Sequence, residues 1–236
     1  MTRRARRRVL VSCEHGGNRV PKGYAPLFAG AADVLATHRG FDIGALEVAR
    51  AFGRGLGVTP FAATTTRLVV DLNRSPRNPS VFSDYTRGLV GEQRAAALAA
   101  HYWPYRNAVE SAVADAVAAR EAVLHVSSHS FTPVLRGETR NCDVGFLYDP
   151  ARRGEVRFVE AWIAALRTAA PELVLRRNYP YRGVSDALVT NLRRRYAGRG
   201  YAGMELELNQ KHVGGRGWRS LVAVLAATLA TAVEHG

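Results

Sequence analysis

Lysine is almost missing from this chain: of 33 basic side chains only Lys22 and Lys211 are lysines, so the net charge of +13 rests on arginine. Cysteine is as scarce. Cys13 and Cys142 lie far apart with no CxxC spacing, which excludes a disulfide framework. No apolar run approaches the ~18 residues that cross a bilayer, so a membrane span is not expected. After the basic N-terminus the apolar stretch VLVSC ends at Glu14 and His15, too short for a signal-peptide core, and a cytoplasmic location is the expectation. With 10 prolines, 22 glycines and 47% hydrophobic residues, the composition is neither disordered nor collagen-like.

What is present is arginine, alanine and a sizeable core. Arg3, Arg4, Arg6, Arg7 and Arg8 read as a basic disordered tail over residues 1–8, and a second cluster falls at Arg193, Arg194, Arg195 and Arg199. A nucleic-acid-binding module would rest on these two patches, but no stacking aromatics or recognition helix accompany them. Arginine dominant over lysine amid so much alanine reads as compositional bias, and nucleic acid is not the expected partner. Neither a repeat nor a low-complexity linker divides residues 9–236, which read as a single catalytic domain.

Val9 to Cys13 reads as a buried strand opening into a loop, and Val123 to Ser127, Val144 to Tyr148, Leu173 to Leu175 and Met204 to Leu208 as further strands. Thr64 to Asp71 is β-rich and also reads as a strand. Helical spacing runs from Asp42 to Phe52, with Gly53, Gly55 and Gly57 ending it, from Gly91 to Arg120, with a kink at Pro104, over 155–168, and from Trp218 onward. Strands alternating with helices predict an α/β fold: three αβα layers around a mixed, largely parallel sheet.

In such sheets ligands bind beyond the carboxyl ends of the strands. His15, the Asn73-Arg74 pair and His129 each follow a different predicted strand, and Asp42 sits at a loop-to-helix junction, so four segments can aim side chains at one crevice. Neutral imidazole with a carboxylate suits zinc or another divalent metal, although a lone histidine is more often structural. Arg74 ends a strand beside a proline-rich loop, where a guanidinium fork can grip a carboxylate. For Asp71, an ion pair with a flanking arginine is the preferred reading. Glu205 and Glu207 share one strand face.

The ordered blocks EHGGNRVP (14–21), HRGFDIGA (38–45), TRLVVDLNR (66–74), HVSSHSFTP (125–133), RNCDVGFLYD (140–149), NYPYRG (178–183) and MELELNQ (204–210) together resemble the N-formylglutamate amidohydrolase family. The resemblance implies a metal-dependent amidohydrolase with a zinc-exopeptidase-like fold, similar to the zinc carboxypeptidases and the aspartoacylase group. It assigns His15 and His129 as metal ligands, Asn73 and Arg74 to the substrate carboxylate, with Arg182 as a helper, and Glu207 as the base. The roles of Glu207 and Glu205 are interchangeable at this stage. Asn18 stands where the carboxypeptidase-like pattern has its glutamate ligand, so the third ligand must come from elsewhere: Asp42 first, Glu14 second. Asn18 and Arg67 are then the candidate donors to a developing oxyanion. The implied partner is a small acidic N-acyl amino acid, with a zinc carboxypeptidase or a deacylase of another substrate as the alternative activity.

Overall fold

In the computed structural model of the protein, which describes residues 7–235, the strands predicted over 9–13, 123–127, 144–148 and 204–208 join one six-stranded sheet. Of the segment predicted over 173–175 only Leu175 is in a strand, and the strand Phe61–Ala62 is not among those predicted. The elements in chain order are β1 (Arg7–Cys13), α1 (Ala32–Leu35), α2 (Ala45–Leu56), β2 (Phe61–Ala62), α3 (Gly91–Ala97), α4 (Trp103–Ala118), β3 (Ala122–Phe131), β4 (Val134–Leu135), β5 (Glu138–Thr139), β6 (Val144–Leu147), α5 (Arg153–Ala169), β7 (Leu175–Arg177), α6 (Leu188–Arg195), β8 (Tyr201–Asn209) and α7 (Trp218–His235). The sheet order is β2-β1-β3-β8-β6-β7. β2, β1, β3 and β8 are parallel, while β6 pairs antiparallel with β8 and parallel with β7, which makes the sheet mixed as expected.

Both faces are covered, and the period-two alternation of strand side chains decides what each receives. Val11, Cys13, Leu124, Val126, Met204, Leu206 and Leu208 point to the face packed by α2, α5 and α7. At its centre Trp162 packs edge-on against Phe52 and Phe146 at ring distances of 5.6 and 5.5 Å, and its indole N–H donates to Thr228 at 3.1 Å. Each such large buried side chain contributes roughly 1.5–3 kcal/mol. The opposite face begins as core, with Leu10, Val123 and Tyr201 clustered with Val109 and Val113 of α4 and Leu188 and Leu192 of α6. Further along β3 and β8 the same face turns polar, carrying His125, Ser127, His129, Glu205 and Glu207. A separate cluster of Phe28, Val69, Val70, Val81, Phe82 and Tyr102 supports the loops after β2.

Several local expectations are corrected. β1 starts at Arg7 and pairs Arg7 and Arg8 with Ala122 and Val123, so these two arginines belong to the sheet; residues 1–6 of the expected tail lie outside the described residues. The segment 64–71 is not a strand: it holds an isolated bridge at Thr65 and a turn over 67–69, and Val69 and Val70 are buried in the satellite cluster instead of in the sheet. α2 runs through Gly53 and Gly55 and ends at Gly57, whose φ of 66° is left-handed. At Gly53 a Cβ would come within 2.6 Å of the Val58 carbonyl oxygen, so that glycine serves a close approach rather than a helix stop. β3 extends four residues beyond Ser127, which puts His129 within the strand. Between α3 and α4 a π-helical turn, Leu98–Tyr102, precedes Pro104, so the interruption comes one step earlier than proline alone predicts. Finally, Arg193 is not on a basic surface: it is buried, with its guanidinium on Glu155 at 2.8 Å and on the Gly183 and Gly203 carbonyls. No helix among the described residues is long and apolar enough to cross a membrane.

Candidate active site

From the loop just after β1 and from the last residues of β3, two imidazoles converge on one carboxylate oxygen. His15 Nδ1 lies 3.3 Å and His129 Nδ1 lies 2.8 Å from Asp42 Oδ2, with the two rings 5.2 Å apart. The loop that carries Asp42 is pinned beneath His15, since the Asp42 amide donates to the His15 carbonyl at 2.9 Å. Possible ligand atoms of His15, Asp42 and His129 all lie within 4.8 Å of one another, and all three residues are buried.

Carboxylates also hold the outer nitrogens of both rings. His15 Nε2 donates to Asp71 Oδ1 at 2.7 Å, and His129 Nε2 lies 3.1 Å from Glu14 Oε2 and 2.9 Å from Ser127 Oγ. Glu14 is in turn held by the Ser127 hydroxyl and by the Tyr105 hydroxyl, the latter at 2.8 Å. Carboxylates only accept, so Nε2–H of each ring is committed outward and the Nδ1 atoms face Asp42. A neutral imidazole has one proton, which leaves Nδ1 as a lone pair; that lone pair can sit against Asp42 only if a cation joins them. A second proton satisfies the requirement, and so does a metal ion bound by two nitrogens and one oxygen. The donor set therefore fits a divalent metal, and Asp71 and Glu14 supply the outer hydrogen bonds that fix a ligating imidazole.

The electrostatics follow from this crowding. Burial alone would raise the Asp42 carboxyl, but His15, His129 and Arg67 hold it far below the usual carboxylate range. Burial likewise opposes ionisation of Glu14, and His129 and Ser127 overcome it. Burial opposes a charge on His129, yet its bonds to Asp42 and Glu14 push its pKa well above that of free imidazole. Arg67 donates to Asp42 Oδ1 at 3.2 Å and to Asp71 Oδ2 at 2.7 Å, joining the two carboxylates of the His15 side.

β8 adds the remaining acids. Its register places Glu205 beside Ser127 and Glu207 beside His129 on one face. Glu205 Oε1 accepts from Asn73 Nδ2 at 2.7 Å. Glu207 Oε2 is buried with no hydrogen-bond partner, and burial, reinforced by Asp42 and Glu205 against the pull of His129, pushes its pKa up to about 8. The group faces a cavity of about 420 Å³ lined by His15, Asp42, His129 and Glu207 together with Arg67, Arg74 and Arg182.

The profile of the N-formylglutamate amidohydrolase family matches residues 7–213. The chain belongs to the N-formylglutamate amidohydrolase family. A gene product of Agrobacterium tumefaciens of known crystal structure shares 30% identity over 96% of this chain and 90% of its own, with a TM-score of 0.82. An N-formylglutamate amidohydrolase from Ralstonia eutropha shares the fold at 19% identity, covering 96% of this chain and 93% of its own, with a TM-score of 0.73. No curated protein matches this chain.

Measured against the family blocks, most of the expected residues meet in the cavity, and some do so in altered positions. Asn18 does not: it is exposed, and its amide donates to the Leu35 carbonyl at 3.1 Å. Glu14, the second choice as ligand, lies behind His129, away from Asp42. Asn73 lines the cavity, with Nδ2 donating one hydrogen to Glu205 at 2.7 Å and Oδ1 accepting from the Leu188 N–H at 2.8 Å. Arg74 donates to the Asp186 carbonyl at 2.6 Å, and Asp186 also binds Ser75 and Asn78. Tyr105, Ser127, Asp186, His38 and Arg39 went unnoticed in the sequence. Ser127 had a signal, two residues from His129 on the same strand face; Tyr105 and Asp186 had none, since only the fold brings them near.

Proposed function

We propose that this chain is a metal-dependent amidohydrolase that cleaves an N-formyl or other N-acyl amino acid, such as N-formylglutamate. The observation that carries this reading is the convergence of two imidazole nitrogens, each backed by a buried carboxylate, on Asp42 at the wall of an arginine-lined cavity. His15, Asp42 and His129 would hold the ion. Zinc suits a two-nitrogen, one-oxygen donor set, and when bound it supplies Lewis acidity and a water that ionises near neutral pH.

The protein's own groups do the rest. Glu207, unpartnered and poised near neutral pH, accepts a proton from the attacking water and delivers it to the leaving amine. Arg67 has N–H groups beyond those spent on Asp42 and Asp71, and lines the cavity where the acyl oxygen acquires charge. Glu205, bound by Asn73, is the positioning partner of this pair. Arg74 and Arg182 hold the substrate carboxylate, which sets the acyl carbon against the base.

Metal content and formate release from N-formyl-L-glutamate, measured on wild type, His129→Ala and Asp42→Asn, test the reading. Stoichiometric metal with hydrolysis in wild type and loss of both in the variants is expected. Turnover indifferent to chelators, or identical in the variants, overturns it.

A further inference from the structure

Arg74 lies on a loop, residues 72–80, that has no sheet partner, and a second such loop, residues 178–187, forms another wall of the cavity. They are more than a hundred positions apart in the chain and are tied together at Asp186. Oδ2 of Asp186 accepts from the Ser75 N–H at 2.9 Å, the Ser75 hydroxyl at 3.0 Å and Asn78 Nδ2 at 2.7 Å. The Asp186 carbonyl accepts from Arg74 Nη1 at 2.6 Å, and two residues later the Leu188 N–H donates to Asn73 Oδ1. Behind the first loop, the Tyr102 hydroxyl donates to the Arg74 carbonyl at 2.7 Å.

Hydrogen bonds to an ionised acceptor are the strong ones, and three of them converge on a single oxygen of Asp186. They outweigh its partial burial and hold the carboxyl below its usual range. Its other oxygen has one long contact, Asn191 Nδ2 at 3.4 Å. The tie decides where the Arg74 guanidinium lies. With Nη1 held by the Asp186 carbonyl, the edge formed by Nε and Nη2 has no partner among the described residues and remains as a fork for a carboxylate. A guanidinium already fixed before the ligand arrives loses less freedom on binding.

Resting on the reading above, in which Arg74 holds the substrate carboxylate, we propose that Asp186 is a positioning residue for substrate binding. Its side chain locks the Ser75–Asn78 turn to the start of α6, and that lock keeps Arg74 against the Asp186 carbonyl with its open edge toward the cavity.

Steady-state hydrolysis of N-formyl-L-glutamate by wild type, Asp186→Ala, Asp186→Asn, Arg74→Ala and the Arg74→Ala/Asp186→Ala double variant tests this, with metal content and thermal melts measured on each. Asp186→Ala should raise KM by about tenfold with kcat within about threefold and metal content unchanged. Asp186→Asn keeps an oxygen for the three donors and should restore most of the loss. In the Arg74→Ala background, Asp186→Ala should change KM by less than about twofold, because the group it positions is gone. Ser75→Ala with Asn78→Ala cuts the same tie from the other loop, should reproduce the rise in KM, and carries the test if Asp186→Ala does not fold. The proposal is overturned by an unchanged KM in the variants that cut the tie, by a loss confined to kcat, or by effects of Arg74→Ala and Asp186→Ala that simply multiply, as a role in the fold alone would give. An Arg74→Ala with wild-type KM overturns it too. A wild type that releases formate from no N-formyl amino acid defeats the parent reading instead and this one with it.

Discussion

His125 and His129 lie four residues apart on β3, point to the same face of the sheet and are both buried, yet they carry opposite electrostatics. His125 is bonded by two neutral hydroxyls, Ser12 Oγ and Tyr201 Oη, each at 2.8 Å, and burial drives its pKa down to about 4. His129 is buried just as deeply but lies between Asp42 and Glu14, and its pKa rises. Burial is common to both; the charge of the partner decides. A strand can thus deliver the same residue type to structure at one step and to chemistry two alternations later.

The comparison breaks most severely if His129 proves dispensable. On the proposed function, His129→Ala and Asp42→Asn should each lower hydrolysis by about a thousandfold or more and abolish metal retention after dialysis, because the first removes and the second neutralises one of the three groups proposed to hold the ion. Next, Glu207→Gln should reduce kcat by about 10² to 10⁴ while the metal stays bound, as measured by elemental analysis alongside the rate.

The outer carboxylates sharpen the contrast. Glu14→Gln and Asp71→Asn should weaken metal affinity by about tenfold to a hundredfold in competition titrations, since they unlock the imidazoles without removing a ligand. A neutral hydrogen-bond partner that left affinity unchanged would show that charge behind the ring is irrelevant, and the lesson drawn from His129 would fail. For the metal-free protein there is a pH signature. Glu207 ionises near 4.5 when unfolded and near 8 when folded, so between these values unfolding releases a proton and stability falls as pH rises. Glu207→Gln should flatten that slope in denaturant midpoints measured from pH 5 to 8.

The smallest functional effect belongs to the other histidine. His125→Ala should cost about 2–4 kcal/mol of stability, from a cavity and two orphaned hydroxyls, and leave metal affinity and kcat within about twofold. A large loss of metal in that variant would erase the distinction between the two positions.

The α/β class was legible because parallel strands buried on both faces leave continuous β-branched runs such as Val9 to Cys13. The final helix was legible from its spacing. Thr64 to Asp71 misled, since a β-rich composition describes a residue's fit to a buried surface and does not say which surface. The satellite cluster claimed Val69 and Val70 in place of the sheet. Asn73 carries the family signature, and its neighbours were still invisible, since Glu205 and Leu188 lie more than a hundred positions away in the chain.

Sequence alone determined the repertoire: imidazoles and carboxylates at strand ends, an alternation that puts Glu205 and Glu207 on one face, and arginine as nearly the whole supply of positive charge. Only the folded chain decided which of these meet. Asp42 rather than Glu14 faces both Nδ1 atoms, Arg67 bridges Asp42 and Asp71, and Arg193 is interior. Such outcomes depend on distances between segments remote in the chain, and Coulomb and hydrogen-bond energies are set by those distances, not by order along the backbone.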